Sequence, residues 1–453
     1  MLQLLFLIPM FISIYYVSLR KVDKAFLNVY LPCLLFVPTY YALRLPHMPP
    51  ISPASGALIP IGFSLLANPA NKWHFRRMDL WVLIFMISIG LSETLCERDP
   101  KNGMLLWVED FIEMFLAYIV GRQIIEPNLR LETVKRMTFL FVLQAPFALY
   151  EWRMGSNPWL NIGRGIFAVE TGWMVQMRGG TARIATCFAH AIWAGMLFMT
   201  AIVLNYYLVQ IYKLDKRRLG KWMSMLQKYR IPFLVLPVML YMTGSRMPLA
   251  CTIVCFLFLQ IPRFKSVMTG VIVILAVIGI GGGIVYGAFE KYTTVEDGAE
   301  VTEAQSSAIY RKELLVNYEP ILEAGGWLGY GALSFPRVKG QVSIDNNYLI
   351  LQLGQGKLGR YSFILLGIEG IFTLWMCAMR FKSKESMYLA FSLMGALIGM
   401  FAALTTVSMM EQVIQMTFLL LGWSQSLQDT RAVGAQAVST MPEPKFRFRR
   451  VIA

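Results

Sequence analysis

Apolar runs of about 17–25 residues recur from one end of this chain to the other, each long enough to cross a bilayer as a helix. In hydrocarbon every backbone N–H and C=O must be bonded internally, so such a series reads as a helical bundle. Hydropathy places the runs at roughly 2–19, 25–43, 51–67, 79–95, 104–121, 136–152, 186–211, 231–244, 247–262, 267–288, 358–379, 387–408 and 411–424. That is about thirteen, or twelve if the short runs flanking Gly244 merge or re-enter. Charged residues make up 15% of the chain and hydrophobic residues 56%, where a soluble domain carries about a quarter charged. The expected fold is all-α: a polytopic integral membrane protein with one membrane domain over 1–424. A polar cytoplasmic tail, basic at its end, is expected over 425–453.

The net charge of +15 raises nucleic-acid binding, but its distribution argues against that. Basic clusters fall at Arg20-Lys21-Lys24, Lys72-Arg76-Arg77, Arg122-Arg130-Lys135-Arg136, Lys213-Lys216-Arg217-Arg218-Lys221, Arg263-Lys265 and Arg380-Lys382-Lys384. Lys445, Arg447, Arg449 and Arg450 end the chain. If the runs alternate across a membrane, every cluster lies on one side, which is the positive-inside pattern. It predicts an outside N-terminus and a cytoplasmic C-terminus, with anionic lipid as a secondary contact. Nucleic acid is not an expected partner. The first run has its Lys and Arg after it and lacks a small-residue cleavage site, so it does not read as a signal peptide. Cys33, Cys187, Cys251, Cys255 and Cys377 fall within runs and only Cys96 approaches the outer surface, so no disulfide framework is expected. Three scattered histidines without Cys/His pairing argue against a zinc site.

Two extracytoplasmic loops are expected, at about 152–185 and 289–345. The first carries Trp152, Arg153, Trp159, Arg164, Trp173, Arg178 and Arg183. Its tryptophans suit the membrane interface, and Trp with Arg also suits sugar faces and phosphates. In the second, AIYRKELLVNYEPILEAGGWLGYG reads as an amphipathic helix ended by Gly325-Gly326 and followed by a turn at Gly329 and Gly331.

The segment IDNNYLILQLGQGKLG ends this loop: Asp345-Asn346, nine residues, Gly356, two residues, Gly359. Read as one helix, Asp345 and Gly356 are about three turns apart and share a face. Asp345, Asn346 and Asn347 then crowd a helix N-terminus, where free amides favour anions; equally, Asp345 or Asn346 serves as the cap. Arg246, in YMTGSRMPL, stands at a membrane boundary, as an interfacial anchor or as a guanidinium fork for phosphate. Arg311 is either solvated or functional. Asp110 and Glu113 share a helix face and call for a basic partner or a proton-carrying role. His190 reads as a hydrogen-bonded structural histidine, and Glu369 and Glu411 have no assignable partner.

In this order, these segments resemble the O-antigen ligase and polymerase superfamily, which includes Wzy-type exopolysaccharide polymerases. The 345–359 segment is similar to its signature, TGSR at 243–246 to its Ser-Arg at the outer end of a central span, and YRKELL with GGWLGYG to its large-loop segment. RIATCFAHAIWAG loosely resembles a further polymerase stretch; the likeness covers roughly 178–380. The resemblance implies a metal-independent, inverting glycosyltransferase of the cytoplasmic membrane that needs no cofactor. Its donor would be an undecaprenyl-pyrophosphate-linked oligosaccharide, its acceptor a growing glycan, and a chain-length regulator a candidate protein partner beside membrane lipids. Carried over residue by residue, Arg246, Arg311 and Asp345 would be catalytic. Ser245, Asn346, Asn347, Tyr348, Gly356, Gly359, Arg183 and His190 would bind substrate. The ligases carry histidine where this chain has Asp345, which favours a polymerase over a ligase acting on lipid A core or protein. A flippase for lipid-linked sugars is the non-enzymatic alternative.

Overall fold

The chain's apolar patterning resolves into helices in a computed structural model that describes residues 2–68, 73–293, 303–341, 343–381 and 383–439. The Lys72 and Lys382 charges and the terminal basic group lie outside the described residues. Among the described residues, five helical stretches are long and apolar enough to cross a membrane: Arg77–Leu95, Ala191–Lys228, Arg246–Arg263, Asn347–Arg380 and Lys384–Ala403. Apolar helices at Leu2–Ser18, Pro53–Leu66, Ile231–Met242 and Val267–Gly283 are shorter. Several expected spans are thus interrupted. The 25–43 run divides into Val22–Ala25, a π turn at Phe26–Tyr30 and Leu31–Phe36. The 136–152 run divides at Gln144, where Pro146 begins a new helix, Ala145–Met154, and cannot continue the old one.

Eight helices carry the central packing and the polar residues at its edge: α1 (Arg77–Leu95), α2 (Ala191–Asp215), α3 (Ile231–Met242), α4 (Arg246–Phe258), α5 (Glu303–Ala324), α6 (Asn347–Arg380), α7 (Lys384–Ala403) and α8 (Gln412–Ser439). A two-stranded antiparallel ribbon, β1 (Gln176–Arg178) and β2 (Thr181–Arg183), precedes α2. Apolar on every side and buried along most of its length, α2 is the central helix. It packs on α7 and α3, while α6 packs on α1 and α7. A Cβ on Gly121 would stand 2.2 Å from the Leu419 carbonyl oxygen, and one on Gly422 2.1 Å from that of Tyr118. Small residues on both sides let these backbones touch, as helices in lipid do.

One extended core joins these helices, with Phe85, Phe198, Phe363, Phe391 and Trp423 among its fully buried side chains. A smaller second cluster holds Leu314 and Tyr318 of α5 against Ile344, Leu349 and Leu353. The segment expected as an amphipathic helix within 289–345 is helical, as α5, with Gly325-Gly326 at its end.

Three expectations change. α8 runs to Ser439, past the expected boundary at 424, and Gln425, Ser426 and Leu427 are buried, while the rest of the expected tail, 440–453, lies outside the described residues. Arg122 and Arg130, expected among loop charges, are buried: Arg122 pairs with Asp79, which also accepts from the Tyr118 hydroxyl, and Arg130 donates to the Ser426 carbonyl. Glu369 has a partner after all, Arg77 at 3.4 Å.

Candidate functional site

Gly179 and Gly180 take positive φ, 54° and 76°, at the turn between β1 and β2, the geometry that two-residue hairpins demand. The ribbon's register sets Gln176 opposite Arg183. Arg183 donates from Nε to the Thr243 carbonyl at 2.9 Å, from Nη1 to Gln176 Oε1 at 3.1 Å and from Nη2 to Ser245 Oγ at 3.0 Å. Arg178 Nη1 donates to the Gly244 carbonyl at 2.8 Å. Two arginines thus hold the turn between α3 and α4, which Gly244 makes at φ 59°. A Cβ at that glycine would sit 3.3 Å from the Arg183 side chain.

The sequence pairs Ser245 with Arg246, yet the guanidinium that reaches Ser245 is that of Arg183. Arg246 opens α4 and is exposed, and among the described residues it makes no ion pair or side-chain hydrogen bond. A guanidinium has five N–H donors in a fixed plane. Three of Arg183's are engaged, leaving one on each terminal nitrogen. Burial, then the Arg178 and Arg311 charges, lower its pKa to about 10, so it stays cationic at neutral pH.

Residues 184–190 carry the chain from the ribbon into α2 with positive φ at Thr186 (50°) and Ala189 (62°). These are costly backbone conformations for side chains with a Cβ. Buried polar groups hold them. Glu151, wholly buried, accepts from the Ala185 and Thr186 amides at 3.2 and 2.7 Å and from Asn157 Nδ2 at 2.8 Å. Thr186 Oγ1 donates to Gln144 Oε1 at 2.6 Å. His190 follows as the cap of α2, its Nδ1 accepting from the Ile192 amide at 3.1 Å. With Nδ1 accepting, the neutral ring carries its proton on Nε2. Trp173 and Trp193 flank it, ring centroids 6.3 and 5.2 Å away. Burial, then Arg183, push the His190 pKa down to about 4 against an opposing pull from Asp345.

That pull places Asp345 in the electrostatic neighbourhood of His190, as Arg311 of α5 is in that of Arg183. Arg311 Nε is buried without a hydrogen-bond partner, and Asp345 Oδ1 accepts from Ser343 Oγ at 3.0 Å. Among the described residues no ion pair joins Asp345 to an arginine. Arg178 and Arg311 both lie in the electrostatic neighbourhood of Arg183, and Asp345 in that of His190, a positive surplus that suits a multiply charged anion.

Asn346 is the cap of α6, its Oδ1 accepting from the Tyr348 and Leu349 amides at 3.0 and 3.2 Å; of the two cap candidates it is the one used. Asn347 and Tyr348 face protein. Asn347 Oδ1 accepts from the Met409 amide at 2.8 Å, and the Tyr348 hydroxyl donates to the Phe401 carbonyl at 2.8 Å. Gly359 is buried where α6 crosses α1, 3.4 Å from Ser88 Oγ as a Cβ would measure it.

The expected continuous helix through Gly356 is broken there, at φ 68° and ψ −166°, a region open essentially to glycine alone. The GGWLGYG segment fits into the break. Tyr330 and Gly331 amides donate to the Leu353 and Gly354 carbonyls at 2.9 and 3.0 Å, while the Lys357 and Leu358 amides donate to the Gly326 and Trp327 carbonyls, each at 3.1 Å. A Cβ on Gly356 would stand 2.4 Å from the Trp327 carbonyl carbon, and one on Gly329 2.3 Å from the Gly354 oxygen. The two glycine motifs are one interlocked structure.

Two carboxylates overlooked in the sequence complete it. Glu93 accepts from the Ala332 amide at 2.9 Å, and Glu97 from the Leu333 amide at 2.9 Å and from Ser334 Oγ. Burial pushes the Glu97 carboxyl up, but these and the Arg98 and Asp99 amide bonds outweigh it and hold the group below its ordinary range. Their i, i+4 spacing, the shared-face logic applied to Asp110 and Glu113, was the available signal. Asp110 lies near Glu109 and Glu93, and Glu113 near Glu109 and Glu411, and no ion pair with a base is formed among the described residues. Glu113 instead accepts from Gln415 Nε2 at 3.3 Å, and Glu411 from Thr39. Among the described residues no group of three or more His, Cys, Asp or Glu side chains is arranged to hold a metal ion. No protein-family model and no curated protein matches this chain.

Proposed function

We propose that this chain is a polysaccharide polymerase, an inverting, metal-independent glycosyltransferase acting on undecaprenyl-pyrophosphate-linked repeat units. In this reading it crosses the cytoplasmic membrane 12–13 times by hydropathy, with its N-terminus and its site outside. The reading is supported above all by Arg183, whose guanidinium is held at the α3–α4 turn with one donor free on each terminal nitrogen, within electrostatic reach of Arg311 and His190.

The chemistry follows from the parts. An acceptor hydroxyl attacks the anomeric carbon, the new C–O bond forms on the face opposite the pyrophosphate, and the old C–O bond breaks. The departing pyrophosphate gains negative charge. Arg183, with two free N–H donors fixed by its bonds to Thr243, Gln176 and Ser245, and Arg311, with Nε unpartnered, stabilise that charge. The hydroxyl proton goes to a carboxylate, Asp345. The acceptor nitrogen of His190 is already engaged by Ile192, so His190 donates from Nε2 and does not serve as the base. Arg246, the phosphate candidate by sequence, yields that role to Arg183.

The test supplies purified protein in nanodiscs with the lipid-linked repeat unit alone. Long chains formed without a second acceptor support polymerisation; strict dependence on a lipid A core acceptor moves the assignment to ligation. A second reading, transport of the lipid-linked sugar, draws on the interrupted α6 and on the acidic group at Glu109, Asp110, Glu113 and Glu411. In sealed vesicles a transporter would move labelled lipid between leaflets without forming any glycosidic bond.

A further inference from the structure

Lys213 lies 23 positions beyond His190 along α2, about 35 Å at helical rise. That is close to the hydrocarbon thickness of a bilayer, so the far end of α2 reaches the opposite interface from the arginine site. α4 agrees, running from Arg246 beside Ser245 to the Arg263 turn at its far end. There a cavity of about 230 Å³ opens between α2, α3 and α4. Pro237 interrupts α3 at the cavity wall, where it removes the N–H that Phe233's carbonyl would ordinarily accept.

The lining divides sharply. Phe233, Pro237 and Phe256 form an apolar wall, while Lys213, Arg263 and Gln210 form a polar end; no lining residue is acidic. Gln210 is 6% exposed and its Nε2 has no hydrogen-bond partner. Arg263 lies over the Tyr206 ring, 5.7 Å from its centroid, and neither Arg263 nor Lys213 forms an ion pair among the described residues. Two cations and a buried amide donor at the mouth of an apolar slot match a phosphodiester carrying an acyl chain.

We propose that this cavity binds an anionic phospholipid, with its phosphate between Lys213 and Arg263, the Gln210 amide donating to a headgroup or ester oxygen, and the upper acyl chain against Phe233 and Phe256. The volume admits the glycerophosphate region and the first carbons; the remainder of the chain lies along exposed Phe233 and Leu234. Lys216, Arg217 and Lys265, close in sequence to Lys213 and Arg263, add a field that favours an anionic leaflet, whereas Arg218 is paired with Glu385. The site rests on the membrane reading of the chain and is independent of glycosyl transfer.

Native mass spectrometry of the full chain in detergent, titrated with palmitoyl-oleoyl phosphatidylglycerol or phosphatidylcholine, tests it. One phosphatidylglycerol should be retained in preference to phosphatidylcholine, and a Lys213→Ala/Arg263→Ala protein should bind it about thirtyfold more weakly. Equal retention of both lipids, or unchanged binding by the double variant, overturns the proposal. If that variant fails to fold, the wild-type chain answers alone. Phosphatidylglycerol carrying a photoreactive acyl chain should label peptides containing Phe233 or Phe256, and unlabelled phosphatidylglycerol should compete. Labelling elsewhere, or equal competition by phosphatidylcholine or millimolar inorganic phosphate, defeats the lipid assignment.

Discussion

Arg183 donates from Nη2 to Ser245 Oγ at 3.0 Å across 62 residues of chain, and Ser245 in turn donates to the Ala191 carbonyl at 3.2 Å. Ribbon, turn and central helix therefore meet at one guanidinium. Replacing Arg183 by lysine keeps the charge but loses the planar fork. The expected result is a fall of about 10²–10³ in chain growth, assayed with fluorescent lipid-linked repeat units. Arg311→Ala should fall similarly, and Arg246→Ala should stay within a few-fold of wild type. Normal polymer from both Arg183→Lys and Arg311→Ala would sink the phosphate assignment.

Asp345 and Asn346 are neighbours with separable work. Asp345→Asn should lower turnover by about 10²–10⁴ and leave the melting temperature nearly unchanged. Asn346→Ala removes the cap bonds to Tyr348 and Leu349 and should cost about 1 kcal/mol of stability. Thermal melts in detergent beside single-turnover assays separate the two; an active Asp345→Asn protein would show that Asp345 is not the base.

Gly356→Ala and Gly329→Ala should each destabilise the protein by about 2 kcal/mol or more, because a methyl at either position meets backbone at 2.3–2.4 Å. Gly283→Ala is the control, since a Cβ there meets nothing within 4 Å. Comparable melting temperatures for all three would mean that the interlock does not hold α6.

His190 also carries a pH signature. Its pKa, about 4 when folded against 6.5 for the free side chain, means that the unfolded state takes up the proton first as pH falls. Its contribution to stability is fully present above about pH 6.5 and declines as pH drops toward 4. The melting temperature of wild type should therefore fall more steeply over this interval than that of His190→Asn, which keeps a capping side chain. Parallel curves would show that His190 is protonated alike in both states.

The helical character, with helices long and apolar enough to cross a membrane, was legible because backbone satisfaction in hydrocarbon admits few alternatives. The grouping of Arg183, Ser245, His190, Arg311 and Asp345 was legible only as a set of names. Arg246 drew the catalytic assignment from its place at a membrane boundary and in TGSR, whereas the bond to Ser245 comes from a ribbon whose register no local pattern reveals. The break at Gly356 was hidden for a related reason. The run from Asn347 onward stays apolar, so periodicity continues through the glycine, and only the docking of Gly326, Trp327, Tyr330 and Gly331 supplies the bonds that let the helix stop. Glu93 and Glu97 were passed over because their partners are amides 236 and more residues away.

The second, smaller apolar cluster divides the four charged candidates into two pairs. Arg183 and His190 are seated on the main core through Ile184, Phe188 and Trp193, whereas Arg311 and Asp345 ride on the minor one through Leu314, Tyr318 and Ile344. The two clusters are nonetheless tied together: Leu349 and Leu353 of the minor one stand on the same helix, α6, as Leu351 and Phe363 of the main one. Loosening the minor cluster would therefore let Arg311 and Asp345 shift while Arg183 and His190 stay anchored.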